Sequence, residues 1–242
     1  MDDLRREAGL LALVGGGEFG PGNEAHDELL AGASHGQGFL VATAAARSRP
    51  ERAVRQGILW FQQFGLELTE LAVYTQKQAQ SAALVEAAAH AGFFYLAGGD
   101  PGLVASLLRS SPVGAAILSA WRNGAVLAGS SAGAMVLCAD TLVRQSFPSH
   151  TERRAVPGLG VIAHCAVLPH HDTFGHKWYQ SARAALPEAT LIGVDERTCA
   201  LWHSGAWQCL GPGAVTVYAP GTDAAPYRRG EVEGLPQPST RG

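Results

Sequence analysis

The chain of 242 residues lacks a segment that reads as a secretory leader or a membrane span. The charged stretch Met1 to Glu7 is followed by an apolar run, Leu10 to Val14, which stops at Gly15-Gly16-Gly17 and is too short for either. A cytoplasmic location without a membrane partner is expected. An excess of one charge is also missing. The net charge is -3 with acidic and basic residues interspersed, so no electrostatic footprint for nucleic acid is present. Cysteine is scarce. Cys138, Cys165, Cys199 and Cys209 are widely spaced, form no CxxC pair and lie in apolar surroundings, which suits reduced core thiols rather than a zinc site or a disulfide framework. With no internal repeat and no break in composition, one α/β domain over residues 1–242 is expected, its tail from about 220 partly disordered.

Short apolar runs alternate with longer amphipathic stretches through the first half, the pattern of βαβ units around a parallel sheet. Strands are predicted at 10–15, 38–44, 66–73, 93–97 and 125–129. Helices are predicted at 24–31, 49–64, 81–90 and 101–123, the last broken near Ser110-Ser111-Pro112. Residues 143–160 lack a clear period and read as an active-site loop. Beyond them come a buried strand at 160–168, a helix at 175–186, and strands at 191–194, 199–202, 207–210 and 214–218. The expected architecture is three-layer αβα, a mostly parallel central sheet finishing in antiparallel strands.

The most informative stretch is Gly129-Ser130-Ser131-Ala132-Gly133, between the apolar run Ala125 to Ala128 and Ala134-Met135-Val136-Leu137. A serine on a strand-to-helix turn is a nucleophile elbow. Its flanking glycines allow a tight turn where a side chain would collide with the neighbouring strand or helix, and the first N–H groups of the helix, beginning at Ala132, point toward an oxyanion. Ser131 needs a base, and the base needs an orienting carboxylate.

Leu168-Pro169-His170-His171-Asp172 follows directly on an apolar strand, so its polar residues emerge at a strand end, where ligands gather in open α/β sheets. His170 is the first choice for base and His171 the second. For the carboxylate, Gly193-Val194-Asp195-Glu196-Arg197-Thr198 again places acids just past a strand. Alternation sends Asp195 and Glu196 to opposite sides, so one faces the site while the other caps the turn or pairs with Arg197. Gly99, in Ala97-Gly98-Gly99-Asp100-Pro101, is the candidate for the second oxyanion donor, and Asp100 suits an N-cap ahead of Pro101. A metal reading uses His170, His171, Asp172 and His176, whose spacing matches no metal motif. No metal or cofactor is expected. The tryptophans Trp121, Trp178, Trp202 and Trp207 read as core rather than site. Trp178 is also, with Tyr179, a candidate to line a pocket.

Together these pieces resemble the cyanophycinase and dipeptidase E family of serine peptidases, whose fold is similar to that of class I glutamine amidotransferases. The resemblance runs from Val14 to about Ala200 and rests on Val14-Gly15-Gly16-Gly17-Glu18, Leu96-Ala97-Gly98-Gly99-Asp100, Gly129 to Ala134, Leu168-Pro169-His170 and Gly193 to Thr198, in that order. It implies Ser131 as nucleophile, His170 as base and Glu196 as acid. Dipeptidase E instead carries an aspartate shortly after the nucleophile, and the corresponding place here, near Ser146, is not acidic; this favours Glu196 over Asp140. The cyanophycinase pattern Asp-Gln-His-Phe is matched at His170 only, with Pro169 and His171 as departures. Asp100, His171 and Asp172 are the candidates for substrate binding. The resemblance further implies small aspartyl or β-aspartyl peptides as substrates and a homodimer.

Three rival readings stand beside this one. An α/β-hydrolase esterase would order its triad serine, acid, histidine, requiring Asp172 or Asp195 with His203. A glutamine amidotransferase would need a thiolate at the elbow, and the nearest thiol is Cys138, two helical turns further on. A catalytically silent ligand-binding protein would leave the elbow a mere turn.

Overall fold

A computed structural model describes residues 7–146 and 148–240 and shows a mixed α/β fold. The charged residues 1–6 and the last two residues of the tail lie outside the described part. Strand β1 (Leu11–Val14) leads through α1 (Glu24–Ala33) to β2 (Gln37–Val41), then through α2 (Pro50–Gln62) to β3 (Leu68–Glu70). Helices α3 (Gln76–Ala79) and α4 (Ala82–Ala89) precede β4 (Ala91–Leu96). The predicted long helix divides into α5 (Pro101–Leu108) and α6 (Pro112–Arg122), 90° apart, because Ser111 caps the second through Gly114 N–H and Pro112 opens it. Strand β5 (Val126–Ser130) then feeds α7 (Ala132–Leu137).

Strands β1 to β5 form a parallel run in the order β1-β5-β4-β2-β3. Alternation along each strand sends side chains to two separate cores. Leu11 and Leu13, Phe94 and Leu96, and Leu127 face α4 to α7 in one core; Ala12 and Val14, Phe93 and Tyr95, and Val126 face α1 and α2 in the other. The three layers follow from that division. Among the described residues no single helix is long and apolar enough to cross a membrane.

Three expectations need correction in the second half. Residues 143–160 are not an irregular loop: β6 (Asp140–Arg144) and β7 (Arg153–Pro157) pair as an antiparallel hairpin. Only a few of their residues are fully buried, so the alternation that marks a strand is weak there. The buried strand at 160–168 is shorter, β8 (Cys165–Leu168), and the helix at 175–186 opens with a 3₁₀ turn, Gly175–Trp178, before α8 (Tyr179–Ala185).

The C-terminal strands also separate. Strands β10 (Cys199–His203) and β11 (Ala206–Leu210) extend the central sheet antiparallel beyond β1, whereas β8, β9 (Thr190–Val194) and β12 (Val215–Tyr218) build a second sheet. An apolar strand carries no sign of which edge it will join. The tail beyond 220, expected to be partly disordered, is placed as far as Thr240. Strand β13 (Ala225–Tyr227) pairs with β12, β14 (Gly230–Glu231) pairs with β11, and Val232 and Leu235 are buried in the first core. Two apolar anchors outweigh a composition that is otherwise polar.

Candidate active site

The elbow forms where β5 meets α7. Ser131 adopts φ 50° and ψ -112°, a backbone strain that cores rarely keep without cause. The flanking glycines are required by close approach: a Cβ on Gly129 would lie 2.4 Å from the Gly133 carbonyl oxygen, and one on Gly133 would lie 2.0 Å from that of Leu96. Strand, turn and helix are therefore packed backbone to backbone around the serine.

Three consecutive carbonyls at the end of β1 gather the other parts. Ser131 N–H donates to Val14 O at 2.9 Å, His170 N–H to Gly15 O at 2.7 Å, and Arg197 N–H to Gly16 O at 2.7 Å. The segments that carry Ser131, His170 and Glu196 thus hang from adjacent peptide units. His170 and Arg197 share the strain of Ser131, with φ of 50° and 59°. Gly16, at φ 122°, lies under the His170 ring, and a Cβ there would be 2.2 Å from its Cε1.

From this framework His170 Nε2 reaches Ser131 Oγ at 2.9 Å, and His170 Nδ1 reaches Glu196 Oε1 at 2.8 Å. Phe174 stacks on the imidazole at 4.7 Å between centroids. The two acids of the 195–196 pair separate as alternation requires, although Asp195 neither caps its turn with its own side chain nor pairs with Arg197. Its carboxylate accepts from Ala214 N–H at 2.7 Å and sits 3.6 Å from His171 Nδ1. Burial works to raise the Asp195 carboxyl, but the His171 hydrogen bond, the Ala214 N–H and nearby positive charge outweigh it and hold it below the usual range.

A cavity of about 620 Å³ opens over Ser131 and His170, with Gly99, Asp100, Phe174 and Trp178 in its wall. Gly99, the candidate oxyanion donor, lines it, and Ala132 opens α7, so its N–H has no intrahelical acceptor. Asp100 lines it too, yet its Oδ1 is committed to Gly102 and Leu103 N–H, the N-cap bonds of α5. His171 and Asp172, the other candidates for substrate binding, are not among the cavity's residues. His171 Nε2 bonds the Tyr218 hydroxyl at 2.9 Å, and Asp172 Oδ1 accepts from Glu196 N–H at 3.0 Å, which orients the acid instead. Trp178 lines the cavity, whereas Tyr179 packs on Tyr218.

The rivals lose their residues. His203 is exposed and borders a different cavity with Leu10, Leu29 and Gln208. Cys138 is fully buried at the far end of α7, its thiol pushed up by Cys165 and by burial. Among the described residues no group of three or more His, Cys, Asp or Glu is arranged to hold a metal, and His176 Nδ1 instead meets the His171 carbonyl.

Three further residues carry the site without having been singled out. Glu18 accepts from Gly98 N–H at 3.0 Å and from the Ser130 hydroxyl at 2.8 Å, tying the Gly98-Gly99 turn to the elbow. Its place directly after the glycine run was the available signal. Arg144 and Arg153, on the hairpin, line the cavity, and the Arg153 guanidinium lies 3.7 Å from the Trp178 ring centroid. Burial and the like charge of Arg144 push Arg153 down to about 10.

The model of peptidase family S51 matches residues 11–208. Cyanophycinases from Nostoc sp. and Trichormus variabilis are each 31% identical over 198 residues, 78% of this chain and 65% of theirs. The chain therefore spans somewhat less than two thirds of those relatives. A crystal structure of a peptidase from an acI-B1 Actinobacterium superposes with a TM-score of 0.76 at 27% identity, covering 92% of this chain and 98% of that one.

Proposed function

The chain belongs to peptidase family S51, and from that premise we propose that it is a serine peptidase acting through Ser131, His170 and Glu196. The observation that carries this reading is the continuous relay of 2.9 and 2.8 Å from hydroxyl to imidazole to carboxylate. His170 Nε2 takes the proton from Ser131 as Oγ attacks the scissile carbonyl, while Gly99 and Ala132 N–H groups hold the oxyanion. Glu196 keeps the proton on Nδ1 and stabilises the imidazolium. His170 then protonates the departing amine, and water, deprotonated by the same imidazole, releases the acyl group. No cofactor takes part.

Small aspartyl or β-aspartyl peptides are the proposed substrates. The two cavity arginines support an acidic group near the scissile bond, since the guanidinium fork matches a carboxylate. Four free, buried thiols suit a reducing compartment, the cytoplasm. The homodimer implied by the family resemblance is part of the proposal, and sedimentation equilibrium reads it directly.

Fluorophosphonate labelling with mass spectrometry of the modified peptide tests the mechanism. Labelling at Ser131 is expected in the unaltered protein and in Asp195→Asn, and is expected to fail in His170→Ala. Folded protein that takes no label would sink the reading.

A further inference from the structure

The catalytic cavity continues outward. A second groove of about 640 Å³ shares Asp100, Val143 and Arg144 with it and is walled by Arg47, Arg109 and Arg154. With Arg153 in the inner cavity, five guanidiniums line the two spaces: Arg144, Arg153 and Arg154 from the hairpin, Arg109 from the end of α5, and Arg47 from the segment ahead of α2. Among the described residues the only carboxylate lining either space is Asp100, and it is spent: one oxygen caps α5 and the other lies 3.7 Å from Arg47. Among the described residues no carboxylate comes within 4 Å of Arg109, Arg144, Arg153 or Arg154.

This concentration is local, because the chain as a whole carries a net charge of -3. Arg153 is the clearest member. Trp178 supports its guanidinium plane, its Nη2 donates to the His150 carbonyl at 3.2 Å, and its Nε is buried without a partner. Like charges held together without a counter-charge cost free energy that an anion recovers on binding.

We propose that the two spaces form one anion track, which takes an acidic peptide of several residues with one side-chain carboxylate at Arg153 and Arg144 and others at Arg154, Arg109 and Arg47. The inference rests on the serine-peptidase reading and deepens it from a dipeptide to an extended acidic chain. Arginines also bind phosphate, but a track that opens onto Ser131 serves a peptide, whose backbone must reach the nucleophile.

The test measures kcat/KM for aspartyl peptides from dipeptide to hexapeptide, beside equal lengths extended with glycine, at low and raised salt. A gain of about ten-fold or more with acidic length, absent with glycine and weakened by salt, is the expected result. That gain should vanish in the double variants Arg109→Glu, Arg154→Glu and Arg109→Gln, Arg154→Gln, the second guarding against misfolding by charge reversal. Fluorophosphonate labelling in each protein reports whether the nucleophile is intact. A flat length dependence with intact labelling overturns the track and spares the peptidase. If labelling itself fails, anisotropy of a fluorescent aspartyl hexapeptide decides: binding lost in both double variants upholds the track, and no binding overturns it. An oligonucleotide that displaces the hexapeptide at lower concentration overturns the assignment to a peptide.

Discussion

The end of β1 and the β6–β7 hairpin face the same cavity but are built on opposite terms. At β1, three backbone hydrogen bonds to Val14, Gly15 and Gly16 fix the segments bearing Ser131, His170 and Glu196, and the strand is buried between β5 and β10. The hairpin pairs only with itself in sheet terms and presents Arg144 and Arg153 from a half-exposed ribbon. The relay is positioned by peptide units, whereas the charge proposed to select a substrate is held by side chains. Substitution at the hairpin should therefore change specificity, whereas substitution at the glycines that end β1 should change the reaction itself.

The largest expected effect sharpens the framework side. Ser131→Ala or His170→Ala should lower kcat by about 10⁴-fold or more, and Glu196→Gln by about a hundred-fold or more, read with an aspartyl peptide. If Asp195→Asn proves as damaging as Glu196→Gln, the relay has been assigned to the wrong acid. Gly16→Ala strains the framework without removing a polar group. Its methyl would displace the His170 ring, and a loss of about a hundred-fold in kcat is expected while the circular dichroism spectrum is retained. Wild-type kcat in that variant would show that the ring has room to move.

The framework side also hides ionisable groups. His26 and Asp27 are fully buried, with His26 Nε2 3.5 Å from Asp27 Oδ1 and Asp27 Oδ2 accepting from Trp60 Nε1 at 2.7 Å. Burial lowers His26 to about 4 against the pull of Glu24. Burial raises Asp27 to about 7 despite the Trp60 bond, helped by the charges of Glu18 and Glu24. A raised carboxyl contributes stability at low pH that is lost as pH climbs toward 7. A lowered imidazole contributes stability that grows as pH climbs from 4 to 6.5. The two slopes oppose each other, so the native protein should show little net contribution from this pair between pH 4.5 and 6.5. Asp27→Asn leaves the His26 slope alone, and urea unfolding should then show stability rising by about 2 kcal/mol over that window relative to the native protein. Parallel profiles for the two proteins would refute the opposition.

The smallest effect belongs to the hairpin. Arg153→Gln should raise KM for an aspartyl peptide by about ten-fold with kcat nearly unchanged, and should alter a neutral peptide little. Equal loss on both substrates would mean that Arg153 supports Trp178 rather than the ligand.

The same contrast explains what could be read in advance. The elbow was legible because glycines at Gly129 and Gly133 and an apolar run on each side leave few other structures open. His170 was legible because a polar residue directly after a buried strand marks a strand end. Asp195 and Glu196 could be sent to opposite sides by alternation, but which one met the imidazole depends on Arg197 anchoring to Gly16, a contact that no local pattern records. The pattern over 143–160 marks the place of the hairpin but not its form, since its strands bury too little to alternate clearly. Glu18 escaped because its partners, Gly98 and Ser130, lie 80 and 112 positions away along the chain. The packed tail escaped for a related reason: Val232 and Leu235 are only two apolar side chains, and their burial depends on a surface assembled from the rest of the molecule.

The placement of β1 also sets a schedule. It precedes both of its sheet partners in the chain, β5 on one side and β10 on the other, and Gly15 N–H donates to Thr198 O. The three carbonyls that gather the site must wait for partners made much later in synthesis. A nascent chain that has already exposed Ser131 still lacks the imidazole of His170 and the carboxylate of Glu196, which follow it by 39 and 65 positions. The relay can close only when the chain has passed Thr198, whose carbonyl holds Gly15 N–H.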